Sequence, residues 1–195
     1  MKNILNVIGM IKKRMSKIKL FDPYTDKFEK IAINRVLESK FWASGAGNGE
    51  VKKFEKKFLK YVNSKSCVAV NSGTAALNLA LSAYDIKDKE VILPSLSFVA
   101  TANAIIENGG IPKFVDVDEK TLCIDPKKVL NSITNKTKVI LPVHFGGFSS
   151  NLVEITKICK KNKINLIEDA AHSTGATYKN KKIGSHGDLV CFSFH

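Results

Sequence analysis

Short apolar runs alternate with helical stretches along most of this chain, and this alternation predicts a mostly parallel sheet. Each run has the length of a buried strand, and most are separated from the next by apolar residues at helical spacing. Such an order is typical of α/β folds, in which right-handed crossovers place helices on both faces of the sheet. The predicted strands are residues 67–70, 91–93, 113–117, 139–143, 165–167 and 189–194.

Two amphipathic helices and a hairpin complete the predicted elements. The first helix covers residues 27–39 and the second covers residues 51–62, with a glycine-rich loop at 45–49 between them. A hairpin tip is expected at Asn180 and the lysines around it. We expect both helices to pack on a core through their apolar stripes, which are Phe28, Ile31, Ala32 and Leu37 in the first and Val51, Phe54, Phe58 and Val62 in the second.

Residues 71–77 (Asn-Ser-Gly-Thr-Ala-Ala-Leu) lie where the first predicted strand ends and a helix begins. Open α/β sheets bind ligands at the edge formed by the carboxyl ends of their strands. The free N–H groups of a helix start favour an anion, Gly73 permits close approach, and a hydroxyl from Ser72 or Thr74 adds a donor. These features indicate a phosphate site. An ordinary helix cap explains the same residues, and neither P-loop nor G-x-G-x-x-G spacing is present.

Two further side chains are expected at the same edge. Residues 94–101 (Pro-Ser-Leu-Ser-Phe-Val-Ala-Thr) place Phe98 at the start of a helix, where its face can stack on a flat ring. A phenylalanine in apolar surroundings usually belongs to the core, so this segment alone also fits a structural role. Ser193 lies near the end of the last predicted strand, either as a hydroxyl donor or as a tolerated strand residue.

Residues 165–172 (Asn-Leu-Ile-Glu-Asp-Ala-Ala-His) deliver acids to this edge at the end of a buried strand. Only small residues separate Asp169 from His172, so a ligand has room close to the Asp169 carboxylate. A cationic heterocycle needs one carboxylate, which would keep a ring nitrogen protonated and make the ring an electron sink. A metal would need more ligands, and we expect none, because no H-E-x-x-H or comparable spacing joins the candidates Glu168, Asp169, His172, His144 and His186.

Composition narrows the class of partner. The 195-residue chain has a net charge of +13, yet of its 31 basic residues only Arg14 and Arg35 are arginine. Arginine supplies the bidentate fork used on phosphates and bases, whereas scattered lysines usually form a solvated surface, so we expect no nucleic-acid binding. The four cysteines show no C-x-x-C spacing, which indicates neither a disulfide framework nor a zinc site and favours a reducing cytoplasm.

Residues 1–19 are predicted to form a basic amphipathic extension of a domain that comprises residues 20–195. Residues 1–20 hold six basic side chains and no acid, with apolar residues at helical spacing. The alternative is that the start of the protein is assigned too far upstream and that Met15 is its true first residue. A signal peptide is not expected, because the basic cluster follows the apolar stretch and no small-residue cleavage site is present. No segment is long enough to span a membrane.

The quoted segments together resemble the DegT/DnrJ/EryC1/StrS family, the pyridoxal-phosphate-dependent sugar aminotransferases of fold-type I. The resemblance covers about residue 20 to residue 195, and the order of its motifs makes it specific. It implies that residues 20–195 are the N-terminal portion of the large domain that binds pyridoxal 5'-phosphate. The matching motifs lie at residues 71–77, 94–101, 115–118, 142–144, 168–172 and 191–195.

The resemblance also implies a role for each candidate site residue. Gly73 and Thr74 would hold the cofactor phosphate and Ser193 would reach it, Phe98 would stack on the pyridine ring, Asp169 would pair with the ring nitrogen, and His172 would lie near the ring hydroxyl. The family's Schiff-base lysine is expected three positions beyond His195. We therefore assign no catalytic residue within the chain and expect its large domain to be incomplete at the C-terminus, with the small domain absent.

The implied activity is transfer of an amino group, from glutamate, to a keto group on a nucleotide-linked sugar for polysaccharide or glycosylated-metabolite synthesis. The implied functional unit is a cytoplasmic homodimer. Three alternatives stay open: a sugar dehydratase of the same family, with histidine in place of the lysine; a remnant that binds the cofactor without catalysis; and, least favoured, a nucleic-acid or membrane-surface protein that uses residues 1–20.

Overall fold

The computed structural model describes residues 22–42 and 49–194. The predicted extension at 1–19, most of the glycine-rich loop and the terminal residue 195 lie outside the described residues. The chain divides into two compact units, Met1–Gly49 and Glu50–His195.

The first unit contains helix α1, Lys27–Ser39, as its sequence pattern predicts. A capping box fixes its start: the Asp26 carboxylate accepts a bond from the first turn, and the Glu29 carboxylate accepts one from the Asp26 N–H. Within the first unit, the expectation that this helix packs on a core is wrong, because periodicity specifies an apolar face without specifying what covers it. More than half of the surface is exposed at the apolar side chains Phe28, Ile31 and Leu37.

The second unit begins with helix α2, Glu50–Val62, whose apolar stripe does pack as expected. Val62 is buried at the end of the stripe. The ring of Phe58 lies 5.0 Å from that of Phe192 and 5.2 Å from that of Phe194, both edge to face. Such aromatic pairs stabilise a contact beyond the area that they bury. The helix is thereby attached to the segment that contains Ser193.

A parallel sheet forms the centre of the second unit, which confirms the predicted α/β fold. Within the described residues, the main sheet has five parallel strands in the order β2-β1-β3-β4-β7, and β5 and β6 form a separate antiparallel pair. The strands are β1 (Glu90–Pro94), β2 (Ile111–Val115), β3 (Thr137–Ile140), β4 (Asn165–Asp169), β5 (Thr177–Tyr178), β6 (Lys181–Lys182) and β7 (Leu189–Cys191).

The predicted first strand, residues 67–70, is wrong, because this segment is not part of any sheet among the described residues. The backbone N–H of Ala69 donates to the Glu55 carboxylate of α2, at 2.9 Å, instead of to a neighbouring strand. Val68 is 69% exposed. The apolar composition of this segment suits a strand, but a strand also requires a partner for its backbone groups.

Helices cover both faces of the main sheet, as expected for right-handed crossovers. Val91 and Leu93 of β1 belong to one buried cluster with α3 and α4, whereas Ile92 belongs to another with α5 and α6. Because successive strand residues point to opposite faces, the two pairs of helices lie on opposite faces. These helices are α3 (Gly73–Ser82), α4 (Val99–Glu107), α5 (Pro126–Ser132) and α6 (Leu152–Asn162).

The strand order reverses at β1, which has β2 on one side and β3 on the other. Helix α4 connects β1 to β2 on one face, and α5 connects β2 to β3 on the opposite face. In open α/β sheets a crevice opens outside the carboxyl ends of the strands at such a reversal. The reversal therefore places the segment after β1, which contains Phe98, beside the end of β3, and β4 is the next strand of the sheet.

The hairpin of β5 and β6 is confirmed at its predicted tip. Lys179 and Asn180 connect the two strands with φ values of 48° and 64°. Positive φ at both central residues is the signature of a type I′ turn, whose twist matches that of the flanking strands.

Candidate functional site

Gly73 and Ser193 lie in close contact at the start of α3. A Cβ atom on Gly73 would lie 2.9 Å from the Cβ and 3.2 Å from the Oγ of Ser193. Ser72 is the N-cap, and its hydroxyl oxygen accepts a bond from the Ala75 N–H at 3.1 Å. This bond agrees with the interpretation of the segment as an ordinary helix cap. A helix cap alone, however, does not require Ser193 to lie this close to Gly73. Exposed Thr74 follows Gly73 in the first turn, where N–H groups have no partner within the helix.

Asp169 ends β4 with a carboxylate that is held at both oxygens. The side chain is nearly buried, at 5% exposure. Oδ2 accepts a hydrogen bond from the Thr101 hydroxyl at 2.9 Å, and Oδ1 accepts one from the Ala171 N–H at 3.2 Å. The Asp169 backbone bonds to Pro142 and His144 on the neighbouring segment. Main-chain and side-chain bonds therefore fix the position of this carboxylate.

Phe98 is 72% exposed, so the interpretation that it is a core residue is wrong. It occupies the N-cap position of α4. Its carbonyl accepts a hydrogen bond from the Thr101 N–H at 3.1 Å. The same helical turn thus carries an exposed aromatic ring and the hydroxyl that holds Asp169.

His172 lies in a tight turn after Asp169. The Nδ1 atom of His172 accepts a bond from the Gly146 N–H at 3.3 Å, and its ring meets that of Phe145 edge to face, with 5.8 Å between centroids. Because Nδ1 is an acceptor here, a neutral imidazole carries its proton on Nε2. The exposed His172 ring therefore has a defined donor nitrogen.

Strand β7 connects the Asp169 end of the site to the Gly73 end. Asp169 is in register with Cys191, and Ser193 follows two residues later. The thiol of Cys191 donates to the Ala76 carbonyl of α3 at 3.4 Å. Burial first, and then the carboxylates of Asp169 and Glu168, raise the pKa of Cys191 to about 12. Cys191 is therefore a neutral thiol that joins the sheet to α3.

Two of the residues considered as metal ligands contact each other instead. His144 Nε2 and Glu168 Oε2 are 2.8 Å apart, and both side chains are fully buried. The Ser150 N–H donates to His144 Nδ1 at 3.0 Å, so Nε2 carries the proton and donates to the Glu168 carboxylate. Among the residues that the structure describes, no group of three or more acidic, histidine or cysteine side chains could hold a metal ion.

Sequence reasoning missed Thr101. This residue is fully buried, and its hydroxyl lies 2.6 Å from that of Ser97. A signal was present, because the segment carries two hydroxyl side chains, Ser97 and Thr101, on either side of Phe98 where a helix is predicted to start.

The chain belongs to the DegT/DnrJ/EryC1/StrS aminotransferase family, whose sequence profile matches residues 23–195. Spore coat polysaccharide biosynthesis protein SpsC of Bacillus subtilis (strain 168) is 43% identical over 187 residues, which are 95% of this chain and 47% of that protein. The dTDP-3-amino-3,6-dideoxy-alpha-D-galactopyranose transaminase of Aneurinibacillus thermoaerophilus is 44% identical over 164 residues, which are 84% of this chain and 44% of that protein.

Solved structures of the same fold include enzymes of two kinds. The putative sugar aminotransferase Spr1654 of Streptococcus pneumoniae, in its PLP form, superposes with a TM-score of 0.86 at 29% identity, over 91% of this chain and 49% of that one. The E. coli GDP-4-keto-6-deoxy-D-mannose-3-dehydratase with bound hydrated PLP has a TM-score of 0.80 at 36% identity, over 86% of this chain and 44% of that one.

The chain spans about half the length of the curated relatives that it matches. Across the described parts of the chain, every helix is too short or too polar to cross a membrane.

Proposed function

We propose that this chain is the cofactor-binding portion of a pyridoxal-phosphate-dependent sugar aminotransferase. The observation that carries the proposal is the Asp169 carboxylate, which lies nearly buried at the carboxyl end of β4 with a hydrogen bond to each oxygen. Hydrogen bonds of this kind stabilise the charged form of a carboxylate. A nearly buried carboxylate whose two oxygens are fixed in this way suits a protonated ring nitrogen.

The residues at the start of α3 fit the phosphate end of this cofactor. The missing side chain at Gly73 lets Ser193 approach the first turn of the helix, within a distance that a Cβ atom would obstruct. Backbone N–H groups and the helix dipole favour an anion at that turn. In this proposal Gly73 and Thr74 bind the phosphate through their N–H groups, and Ser193 adds its hydroxyl.

The residues at the start of α4 and after β4 fit the ring end. When bound, pyridoxal phosphate supplies an electron sink that stabilises negative charge next to the transferred amino group. Asp169 keeps the ring nitrogen protonated, exposed Phe98 covers one face of the ring, and the Nε2–H of His172 donates to the ring hydroxyl. Because these roles orient the ring from three sides, they position its reactive carbon without requiring a metal.

The proposal extends to the rest of the functional unit. Residues 20–195 are the N-terminal portion of the large domain, and residues 1–19 are an extension of it. The donor is an amino acid, glutamate by the family resemblance, and the acceptor is a keto group on a nucleotide-linked sugar. The dTDP-amino sugar named for the A. thermoaerophilus relative supports the acceptor class. A cytoplasmic homodimer is the proposed assembly.

Similarity to the E. coli dehydratase supports a second candidate, a dehydratase that uses the same cofactor site. The residues described above serve both reactions, since both need a bound cofactor with a protonated ring nitrogen. By the family resemblance, the residue three positions after His195 distinguishes them. Sequencing the codons that follow residue 195 tests this: lysine supports the aminotransferase, and histidine supports the dehydratase.

Binding of pyridoxamine 5'-phosphate to the 195-residue chain tests the cofactor proposal. This amine form is the appropriate probe, because the aldehyde would condense with surface lysines. We expect saturable binding in isothermal titration calorimetry and a loss of about tenfold or more in affinity for Asp169→Asn. Asp116→Asn is the matched control, because Asp116 is an exposed acid near the end of β2 that pairs with Lys128. Equal affinities for Asp169→Asn and the wild type would contradict the proposal.

A further inference from the structure

Three side chains form a continuous series of hydrogen bonds behind the proposed ring site. The Ser97 and Thr101 hydroxyl oxygens are 2.6 Å apart, and the Thr101 hydroxyl is 2.9 Å from Asp169 Oδ2. Thr101 is fully buried and Ser97 is half-buried. The roles proposed above use only Asp169, so the two hydroxyls have no assigned function.

The direction of these bonds follows from their chemistry. The Thr101 hydroxyl has one proton, and it donates that proton to Asp169 Oδ2. The Ser97 hydroxyl must then donate to Thr101 Oγ1. A donor that itself accepts a hydrogen bond becomes more polarised, which strengthens its bond to the charged acceptor.

The two bonds to Asp169 also set its orientation. Thr101 binds Oδ2 and the Ala171 N–H binds Oδ1, so rotation of the carboxylate would break both bonds. The Thr101 N–H donates to the Phe98 carbonyl at 3.1 Å. One turn of α4 therefore determines the positions of both the carboxylate and the exposed aromatic ring.

We infer that Thr101 is a positioning residue, which holds the Asp169 carboxylate aimed at a protonated heterocyclic nitrogen and couples that carboxylate to Phe98. Ser97 supports it by polarising the Thr101 hydroxyl. This inference rests on the proposed cofactor site and adds a residue to it.

The test compares hydroxyl removal with hydroxyl retention at position 101 in the 195-residue chain. Thr101→Val keeps the shape of the side chain and removes the hydroxyl, whereas Thr101→Ser keeps the hydroxyl. Ser97→Ala removes only the supporting donor, and Thr156→Val in α6 is a matched control away from the site. Circular dichroism establishes that each variant is folded.

The diagnostic measurement is the ¹⁵N chemical shift of pyridoxamine 5'-phosphate labelled at the ring nitrogen, followed from pH 6 to pH 10 in the bound state. We expect Thr101→Val to lower the pH at which the bound ring nitrogen loses its proton by about one unit and to weaken binding about tenfold. Thr101→Ser should restore both values, Ser97→Ala should give a smaller change in the same direction, and Thr156→Val should give none.

The outcomes distinguish failure of this inference from failure of the proposed cofactor site. Absence of binding by the wild type, or unchanged binding by Asp169→Asn, would overturn the cofactor site and the inference together. If Asp169→Asn weakens binding while folded Thr101→Val keeps the wild-type titration of the ring nitrogen, only the positioning role of Thr101 is overturned.

Discussion

Gly73 and Ser193 pack so closely that a Cβ atom at position 73 would lie 2.9 Å from the Cβ of Ser193. The two residues are 120 positions apart in the chain, and the attachment of α3 to β7 brings them together. Contacts under 3.0 Å force a neighbour to move, so this pair has little freedom to accept a larger side chain.

Gly73→Ala is therefore expected to destabilise the fold by about 1–3 kcal/mol and to weaken binding of pyridoxamine 5'-phosphate. Urea denaturation and calorimetry measure the two effects. The double variant Gly73→Ala/Ser193→Gly removes the atom that the new methyl group meets, so it should recover part of the lost stability. Wild-type stability for Gly73→Ala alone would refute the close packing.

The buried pair of His144 and Glu168 should contribute strongly to stability. His144→Ala leaves a fully buried carboxylate without its 2.8 Å hydrogen-bond donor, and losing a hydrogen bond to a buried charged group costs about 1.5–3 kcal/mol. Lys128→Ala is the contrasting variant, because it breaks an exposed pair with Asp116 at the same distance. We expect little change in the urea midpoint for Lys128→Ala, since exposed pairs contribute little. Equal losses of stability for His144→Ala and Lys128→Ala would contradict the conclusion that only the pair of His144 and Glu168 is buried.

Glu90 should make stability depend on acid pH. A hydrogen bond from Thr134, followed by bonds from Lys113 and Thr137, lowers the pKa of Glu90 from its ordinary value of 4.5, despite an opposing effect of burial. The folded state therefore binds this proton more weakly than the unfolded state does. The resulting stabilisation is present above the unfolded pKa and is lost as the pH falls through the folded pKa.

Glu90→Gln tests this dependence. The wild type should exceed Glu90→Gln in stability at pH 7, and the difference should shrink as the pH falls below 4.5. Urea denaturation at several pH values measures the difference. Glu119→Gln is the control, because Glu119 is exposed and lies outside these hydrogen bonds. A difference between wild type and Glu90→Gln that does not change with pH would be the contrary result.

The cysteines should differ in their rates of alkylation. Burial raises the pKa of Cys159 and of Cys191 to about 12, and Cys123 is buried as well. Only the thiolate reacts, so we expect these three to resist iodoacetamide at pH 8 until the chain is unfolded. Half-buried Cys67 should react first, although more slowly than a free thiol because its pKa is also raised. Mass spectrometry of Cys67→Ser should then show no early labelling.

The sequence predicts β1 and β4 well because these strands are buried on both faces and form continuous apolar runs. Glu90–Pro94 and Asn165–Asp169 contain the predicted cores of their strands. The error at residues 67–70 has a physical cause, since composition does not reveal whether a partner strand is present. The expectation that the apolar face of α1 is packed failed for the same reason, because an apolar stripe does not identify the surface that covers it.

The candidate site is predictable only in part. Sequence order places Asp169 at a strand end and Gly73 at a helix start, and the structure agrees with both placements. The contact of Gly73 with Ser193 depends on packing between distant segments, which periodicity does not encode. Thr101 was missed for a related reason: a threonine within a helical segment has no recognisable partner until the fold brings Asp169 to it.

A crystal structure of the 195-residue chain with pyridoxamine 5'-phosphate would show whether the cofactor binds to the residues assigned to it. We expect density for the phosphate at the first turn of α3, next to Gly73 and Ser193. We also expect the ring nitrogen within hydrogen-bond distance of the Asp169 carboxylate and Phe98 against the ring. Density for the cofactor elsewhere, or a ring nitrogen turned away from Asp169, would contradict the proposed site.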